Sequence, residues 1–226
     1  MEIWGDCMKC SEQIDILIFG AGGHAKVASD CARAQYPRQR MLGVDAGETV
    51  GEWRGIPIVH QDTKTLEAWR ALCSSAFVAI GDGDIRERVT QSLETAGFAL
   101  ATLIHPSAVV SPSAQLGPGV LVCPGAAINA DARIGRGCIV NTGAIVEHDC
   151  SVGDFSHISP RAVLCGGVVL GEHCRVCAGA TVSDHITVGR RTTIGAGAAV
   201  LSSVPACVLA VGVPAEIRRQ YPMEHD

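Results

Sequence analysis

From Ile104 onward every sixth residue is aliphatic: Ile104, Val110, Leu116, Val122, Ile128, Ile134, Val140, Val146, Val152, Ile158, Leu164, Leu170, Val176, Val182, Val188, Ile194 and Val200. Seventeen consecutive Ile, Val or Leu residues at one period, with no insertion, lie beyond chance. A six-residue period with an aliphatic anchor is the signature of a parallel β-helix, in which each hexad is a short strand plus a turn. Three hexads make one triangular coil, and an eighteen-residue period is visible as well: Gly117, Gly135, Gly153, Gly171 and Gly189 each follow an anchor. These glycines are expected to stack at one corner, where the turn needs a residue without Cβ. The position four after each anchor is mostly small, for example Ala126, Ala132, Cys138, Ala144, Cys150, Ser156 and Cys174.

That register explains most of the chain's 11 cysteines as small packing residues. Cys138, Cys150 and Cys174 replace alanine, while Cys123, Cys165 and Cys177 follow an anchor. Two CxxC pairs occur, Cys7/Cys10 and Cys174/Cys177. A structural zinc needs four ligands, and the second pair belongs to the repeat, so no metal is expected. No stretch approaches the roughly 20 apolar residues of a membrane span, and no secretory leader is visible, so the expected compartment is the cytoplasm with reduced thiols. A net charge of −5 argues against a nucleic-acid partner.

Ahead of the repeat, "DILIFGAGG" at 15–23 is followed by His24. An apolar strand, a glycine turn and an alanine-rich helix over about 25–35 make a nucleotide-binding start, in which backbone and helix N-terminus approach a phosphate. The full GxGxxG fingerprint is absent. A second strand, "MLGVDAG", ends near Asp45, where an acidic residue meets a ribose; "AFVAIGDGDIRERV" (76–89) predicts a third strand, a loop at 81–84 and a helix. The expected division is a tail at 1–13, a Rossmann-like α/β domain at 14–101 and a β-helix with its C-terminal extension at 102–219.

Within the repeat, "VEHDCSVGDFSHI" (146–158) carries His148 between Glu147 and Asp149, and His157 nine residues on. A flanking carboxylate orients an imidazole and raises its basicity. Gly166 lies eighteen residues after His148, so it stacks one strand spacing away, about 4.8 Å, and its amide suits an oxyanion donor. His157, half a coil from His148, belongs on another side of the prism, which predicts a site completed between subunits. His173 and His185 are read as ordinary turn residues.

"GAGGHAKV", "AIGDGDIR" and "NTGAIVEHDCSVGDFSHISP", in this order, resemble the hexapeptide-repeat sugar O-/N-acyltransferases of the sialic acid O-acetyltransferase and bacillosamine N-acetyltransferase type. The similarity spans about 15–219, with "VGVPAEIRR" (211–219) as the exit from the helix. The resemblance implies an α/β N-terminal Rossmann-like domain followed by a left-handed parallel β-helix, a homotrimer, acetyl-CoA as co-substrate and a nucleotide-sugar acceptor. It implies His148 as general base with Asp149 as its acid partner, and His157 at acetyl-CoA, with the backbone at Ala178 and Ala196 along the pantetheine arm. Gly22, Gly23 and His24 match positions that hold the nucleotide sugar, as do Asp45, Gly81 and Arg86. Ala46 stands where the family often has a second acidic residue.

The favoured acceptor is the 4-amino group of a UDP-linked sugar. The alternatives are O-acetylation of sialic acid or its CMP form, and a GDP-linked amino sugar; the motifs are shared by all three. A zinc hydratase on the same helix needs three convergent histidines, which the spacing of 148, 157, 173 and 185 does not supply. A non-catalytic sugar sensor is the remaining reading, because fold alone does not determine function.

Overall fold

The computed structural model of the chain describes residues 14–47, 51–53 and 55–222. Cys7 and Cys10, and the rest of the expected tail, lie outside these residues. The N-terminal domain runs β1 (Ile16–Phe19), α1 (Gly23–Gln35), β2 (Met41–Asp45), β3 (Gly51–Trp53), β4 (Ile56–His60), α2 (Leu66–Leu72), β5 (Ser75–Val78), α3 (Gly83–Thr95) and β6 (Ala99–Leu100). Its sheet has the order β3-β4-β2-β1-β5-β6 and is parallel except where β3 meets β4. The β3–β4 hairpin and α2 carry no motif that the sequence reading used. Helix α1 starts earlier than expected and takes in Gly23 and His24; α3 starts at Gly83, capped by the Asp82 carboxylate on the Ile85 amide at 2.9 Å.

Among the described residues seventeen two-residue strands follow, from β7 (Leu103–Ile104) to β23 (Ala199–Val200), each ending on an aliphatic anchor. They pair in parallel at a spacing of one coil, as in Ile139 with His157 and Val140 with Ile158. The anchors point inward and, with the small residues four further on, fill the prism from Val120 to Ala210. Strands β24 (Val208–Val211) and β25 (Glu216–Gln220) close the far end as an antiparallel pair.

The glycine column stacks where the spacing places it, and the reason that no Cβ fits there is steric. Gly117, Gly135, Gly153, Gly171 and Gly189 are absent from the residues with positive φ. They are required because the next coil lies against them: a Cβ on Gly117 or Gly135 would come 2.7 Å from a backbone nitrogen one coil on. The left-handed position is the third residue after each anchor from Leu116 to Ile194, and it is not reserved for glycine. Gly137, Phe155, His173 and Arg191 share one corner with φ of 60°, 54°, 55° and 56°. Asp131 (φ 59°), Asp149 (60°), Gly167 (66°) and His185 (56°) share another.

The inward cysteines do more than fill space. Cys138, Cys150 and Cys174 donate from Sγ to the carbonyls of Gly153, Cys165 and Gly189 at 3.0–3.1 Å, and Ser156 donates to Gly171 at 2.9 Å. Burial pushes the Cys138 and Cys174 thiols up to about 12, so each keeps the proton it donates.

The two domains share an apolar seam. Ile16, Ile18 and Phe77 of the sheet, with Ala25, Ala28 and Cys31 of α1, pack on Leu103, Leu121 and Ile139, which point outward from the prism. The other sheet face is covered by Trp69 of α2 and Leu93 of α3. The outward row of the prism continues from Ile139 to His157, Arg175 and Thr193, so His157 stands where the seam ends.

Candidate active site

His148 sits in the turn between the strands Ile145–Val146 and Ser151–Val152. Asp149 occupies the left-handed position of that turn, with φ of 60°, a conformation that aspartate tolerates better than most residues. This turns its carboxylate back onto His148, with Oδ2 2.8 Å from Nδ1. Nε2 lies beside Gly166 of the next coil, and the ring is well exposed to solvent. The Asp149 hydrogen bond is the main cause that holds the His148 pKa above its usual 6.5, with the charges of Glu147 and Asp184 adding to it. The carboxylate that touches the ring is therefore Asp149, while Glu147 acts only at a distance.

Gly166 stacks on this corner as its spacing requires. A Cβ there would lie 2.7 Å from His148 Cε1 and 2.8 Å from Nε2, so the imidazole occupies the space a side chain would take. Its amide is not free: it donates to Asp184 Oδ1 at 3.1 Å. Asp184 lies one coil further along the same column, and nothing in the motif reading had singled it out.

The second cluster lies where the domains meet. His157 and His24 face each other with ring centroids 6.0 Å apart. Burial lowers the His24 pKa to about 4 and the His157 pKa to about 3, and the Arg86 charge pushes both the same way. Both rings are neutral at physiological pH. His157 Nε2 is 3.0 Å from Asn141 Nδ2, while His24 Nε2 is buried with no hydrogen-bond partner. Asn141 is a further site residue that the sequence reading passed over; its place in the "NTGAIVEHD" segment was the available signal. Above the pair, Gly22 and Gly23 open α1, and a Cβ on either would meet nothing within 4 Å. Bare helix-start amides facing open space suit an anion. Gly81 lies against His24, with 4.0 Å from a built Cβ to the His24 Cβ. Asp45 ends β2 with Oδ1 accepting the Gly47 amide at 2.6 Å. The next residue, Ala46, lines a cleft of about 720 Å³ together with Lys64, Trp69, Ile85 and Arg88.

Two expectations fail on geometry. Arg86 does not face this open space: it is 1% exposed, and its guanidinium donates to Ile80 O at 2.8 Å, Gly81 O at 3.0 Å, Gly137 O at 2.6 Å and Phe155 O at 2.6 Å. Its side chain is spent on the domain seam, so it is not a ligand contact here. His173 is not an ordinary turn residue either. Its ring is largely buried, with Nδ1 3.0 Å from Asp84 Oδ1 and Nε2 3.0 Å from Glu87 Oε2, both on α3. His185 does lie in a turn, over Gly167.

The structure separates the remaining candidates within the chain. Ala178 and Ala196 are exposed at the corner that follows the His157 face, stacked through the Gly197 amide on Ala178 O at 3.0 Å. The His148–Gly166–Asp184 column runs along the next corner. The face between them presents Val109, Ala127, Ile145 and Val163 outward. Among the described residues no cluster of three or more His, Cys, Asp or Glu is arranged to hold a metal. No helix among them is long and apolar enough to cross a membrane.

Known proteins share both halves of this arrangement. Residues 15–93 match the family model of the PglD N-terminal domain, and 99–188 that of the GMPPB C-terminal domain. A histidine-to-asparagine variant of perosamine N-acetyltransferase from Caulobacter crescentus, with CoA and GDP-perosamine bound, is 42% identical. That match covers 91% of this chain and 97% of the other, with a TM-score of 0.86. The acetyltransferase domain of PglB from Neisseria gonorrhoeae, in complex with acetyl coenzyme A, is 35% identical over 91% of this chain and 100% of its own, at a TM-score of 0.84. UDP-N-acetylbacillosamine N-acetyltransferase of Bacillus subtilis is 38% identical over 113 residues, so the match spans 50% of that relative's length. A Rossmann-like domain followed by a left-handed β-helix is the architecture of these matched proteins. The chain belongs to the hexapeptide-repeat sugar N-acyltransferases.

Proposed function

We propose that the protein transfers the acetyl group of acetyl-CoA to the 4-amino group of a nucleotide-linked sugar. The observation that carries this reading is the His148 ring, held at Nδ1 by Asp149 and lying with Nε2 beside Gly166. His148 Nε2 takes a proton from the amine as its nitrogen attacks the thioester carbon. The Gly166 N–H, released from Asp184, donates to the oxyanion that forms on the carbonyl oxygen. Collapse of the tetrahedral intermediate expels the CoA sulfur, which takes the proton back from the imidazolium. Gly22, Gly23, His24, Gly81 and Asp45 surround the nucleotide sugar, and His157, Ala178 and Ala196 line the acetyl-CoA side.

The site is completed in a homotrimer. The apolar outward row from Val109 to Val163, with Val109 67% exposed, supports burial of that face between subunits. Such packing brings one subunit's His148 corner to its neighbour's His157 face. The reaction belongs in the cytoplasm, where acetyl-CoA is made. UDP is the favoured nucleotide, although the motifs are shared with the other acceptors. The match to a GDP-perosamine complex over 91% of the chain favours GDP as a second reading.

The test is mass spectrometry of acceptor panels incubated with acetyl-CoA: UDP- and GDP-linked 4-amino sugars, sialic acid and CMP-sialic acid. A gain of one acetyl on a 4-amino nucleotide sugar, lost in His148→Ala, is the expected result and names the nucleotide. Acetylation of sialic acid alone overturns the amine reading.

A further inference from the structure

Helix α3 lies along one corner of the prism, and its contacts follow the left-handed column. A Cβ on Gly83 would sit 3.1 Å from Phe155 O. Asp84 meets His173 and Arg191, each at 3.0 Å; Glu87 meets His173, and Glu94 pairs with Arg136. At the centre, Arg86 donates to two carbonyls of the loop after β5 and to two of the prism corner.

A guanidinium taken out of water and paired with carbonyls instead of a carboxylate is a costly way to join two surfaces. Three other side chains, His173, Arg191 and Arg136, already lie against carboxylates of α3. What Arg86 adds is direction. Its two loop acceptors, Ile80 and Gly81, adjoin His24 through Gly81, and its prism acceptor Phe155 stands two residues before His157. One planar fork thus ties the loop beside the nucleotide-sugar space to the coil beside the acetyl-CoA space.

We infer that Arg86 is a positioning residue: by stapling the Ile80–Gly81 loop to the Gly137 and Phe155 carbonyls, it sets the distance between the two substrates. The inference rests on the proposed two-substrate reaction. Alignment of bound reactants enters kcat and leaves the affinity for each alone unchanged. A lysine retains the charge and cannot span four carbonyls in one plane.

The experiment compares the full chain with Arg86→Lys and with Asp84→Asn, which removes the carboxylate shared by His173 and Arg191 and keeps the staple. Each is measured for kcat on the acceptor that the wild type acetylates, for the Kd of CoA alone and of the nucleoside diphosphate alone, and for amide hydrogen exchange at 79–82 and 155–158. Arg86→Lys is expected to lose at least about 10-fold in kcat, to change both Kd values less than about 2-fold, and to exchange faster at both segments together. Asp84→Asn is expected to melt lower with kcat and exchange at those segments unchanged. An unaltered kcat in Arg86→Lys, or an equal loss in Asp84→Asn, overturns the assignment. If the wild type acetylates none of the acceptors, the functional reading fails alone, and the staple is decided by whether the two segments loosen together.

Discussion

The imidazole of His148 fills the space above the α-carbon of Gly166, to within 2.7 Å of where a methyl group there would stand. Gly166→Ala is therefore expected to push the ring off its axis. Because His148 is exposed, the ring moves without disturbing the prism. Acetyl transfer should fall by about 10-fold or more, the scale of a misplaced catalytic group, with the melting temperature nearly unchanged. Steady-state kinetics beside a thermal melt check this, and a parallel loss of both would point to a damaged coil.

The Asp149 contact sets the direction of the pH dependence. A base must be deprotonated to act, and the hydrogen bond from Asp149 raises the His148 pKa above 6.5. Activity should thus rise with pH along an acid limb centred above 6.5. Asp149→Asn should move that limb downward while lowering the plateau, since an amide orients the ring but supports the imidazolium less. A limb that stays in place in the kcat/KM profile would remove Asp149 from this role.

Asp184 competes with the thioester carbonyl for one amide. In the ligand-free chain its carboxylate accepts the Gly166 N–H at 3.1 Å. Asp184→Ala should lower KM for acetyl-CoA by about 2- to 10-fold, the worth of one released hydrogen bond. Titration of the variant with acetyl-CoA under saturating acceptor reads this directly; an unchanged or higher KM counts against the competition.

The His24–His157 pair predicts acid lability. Folding lowers both pKa values, to about 4 and about 3, so below about pH 6.5 the unfolded chain binds protons that the folded chain refuses. Stability should fall as pH drops from 6.5 toward 4, by up to about 1.4 kcal/mol per pH unit for each histidine. A His157→Asn variant should show a shallower slope in melts taken across that range.

Much of this was legible in the chain because the hexad repeat is a one-dimensional code. A residue's corner follows from its number, and so Gly166 could be set beside His148 by counting. Asp184 stands eighteen residues beyond Gly166 in the same column, and Asn141 in another, but neither is singled out by the motifs. Counting also stops at the edge of the repeat. Nothing periodic relates α3 to the prism, so Arg86 read as a ligand contact and His173 as a turn residue, whereas both are consumed by docking the helix. The glycine column was legible in the same way: the next coil lies too close for a side chain there.

The left-handed column has a consequence for how such a chain changes over generations. A Cβ on Gly137 would lie 2.5 Å from the Phe155 ring, because that ring occupies the space beside it. At this corner the ring of one coil thus fills the space left by the glycine one coil before it. A substitution at Gly137 is accessible only after Phe155 has become smaller, and once Gly137 has grown the way back to phenylalanine is closed. Drift at these corners moves through ordered pairs of replacements, so the history of the prism is recorded in which of two neighbours changed first.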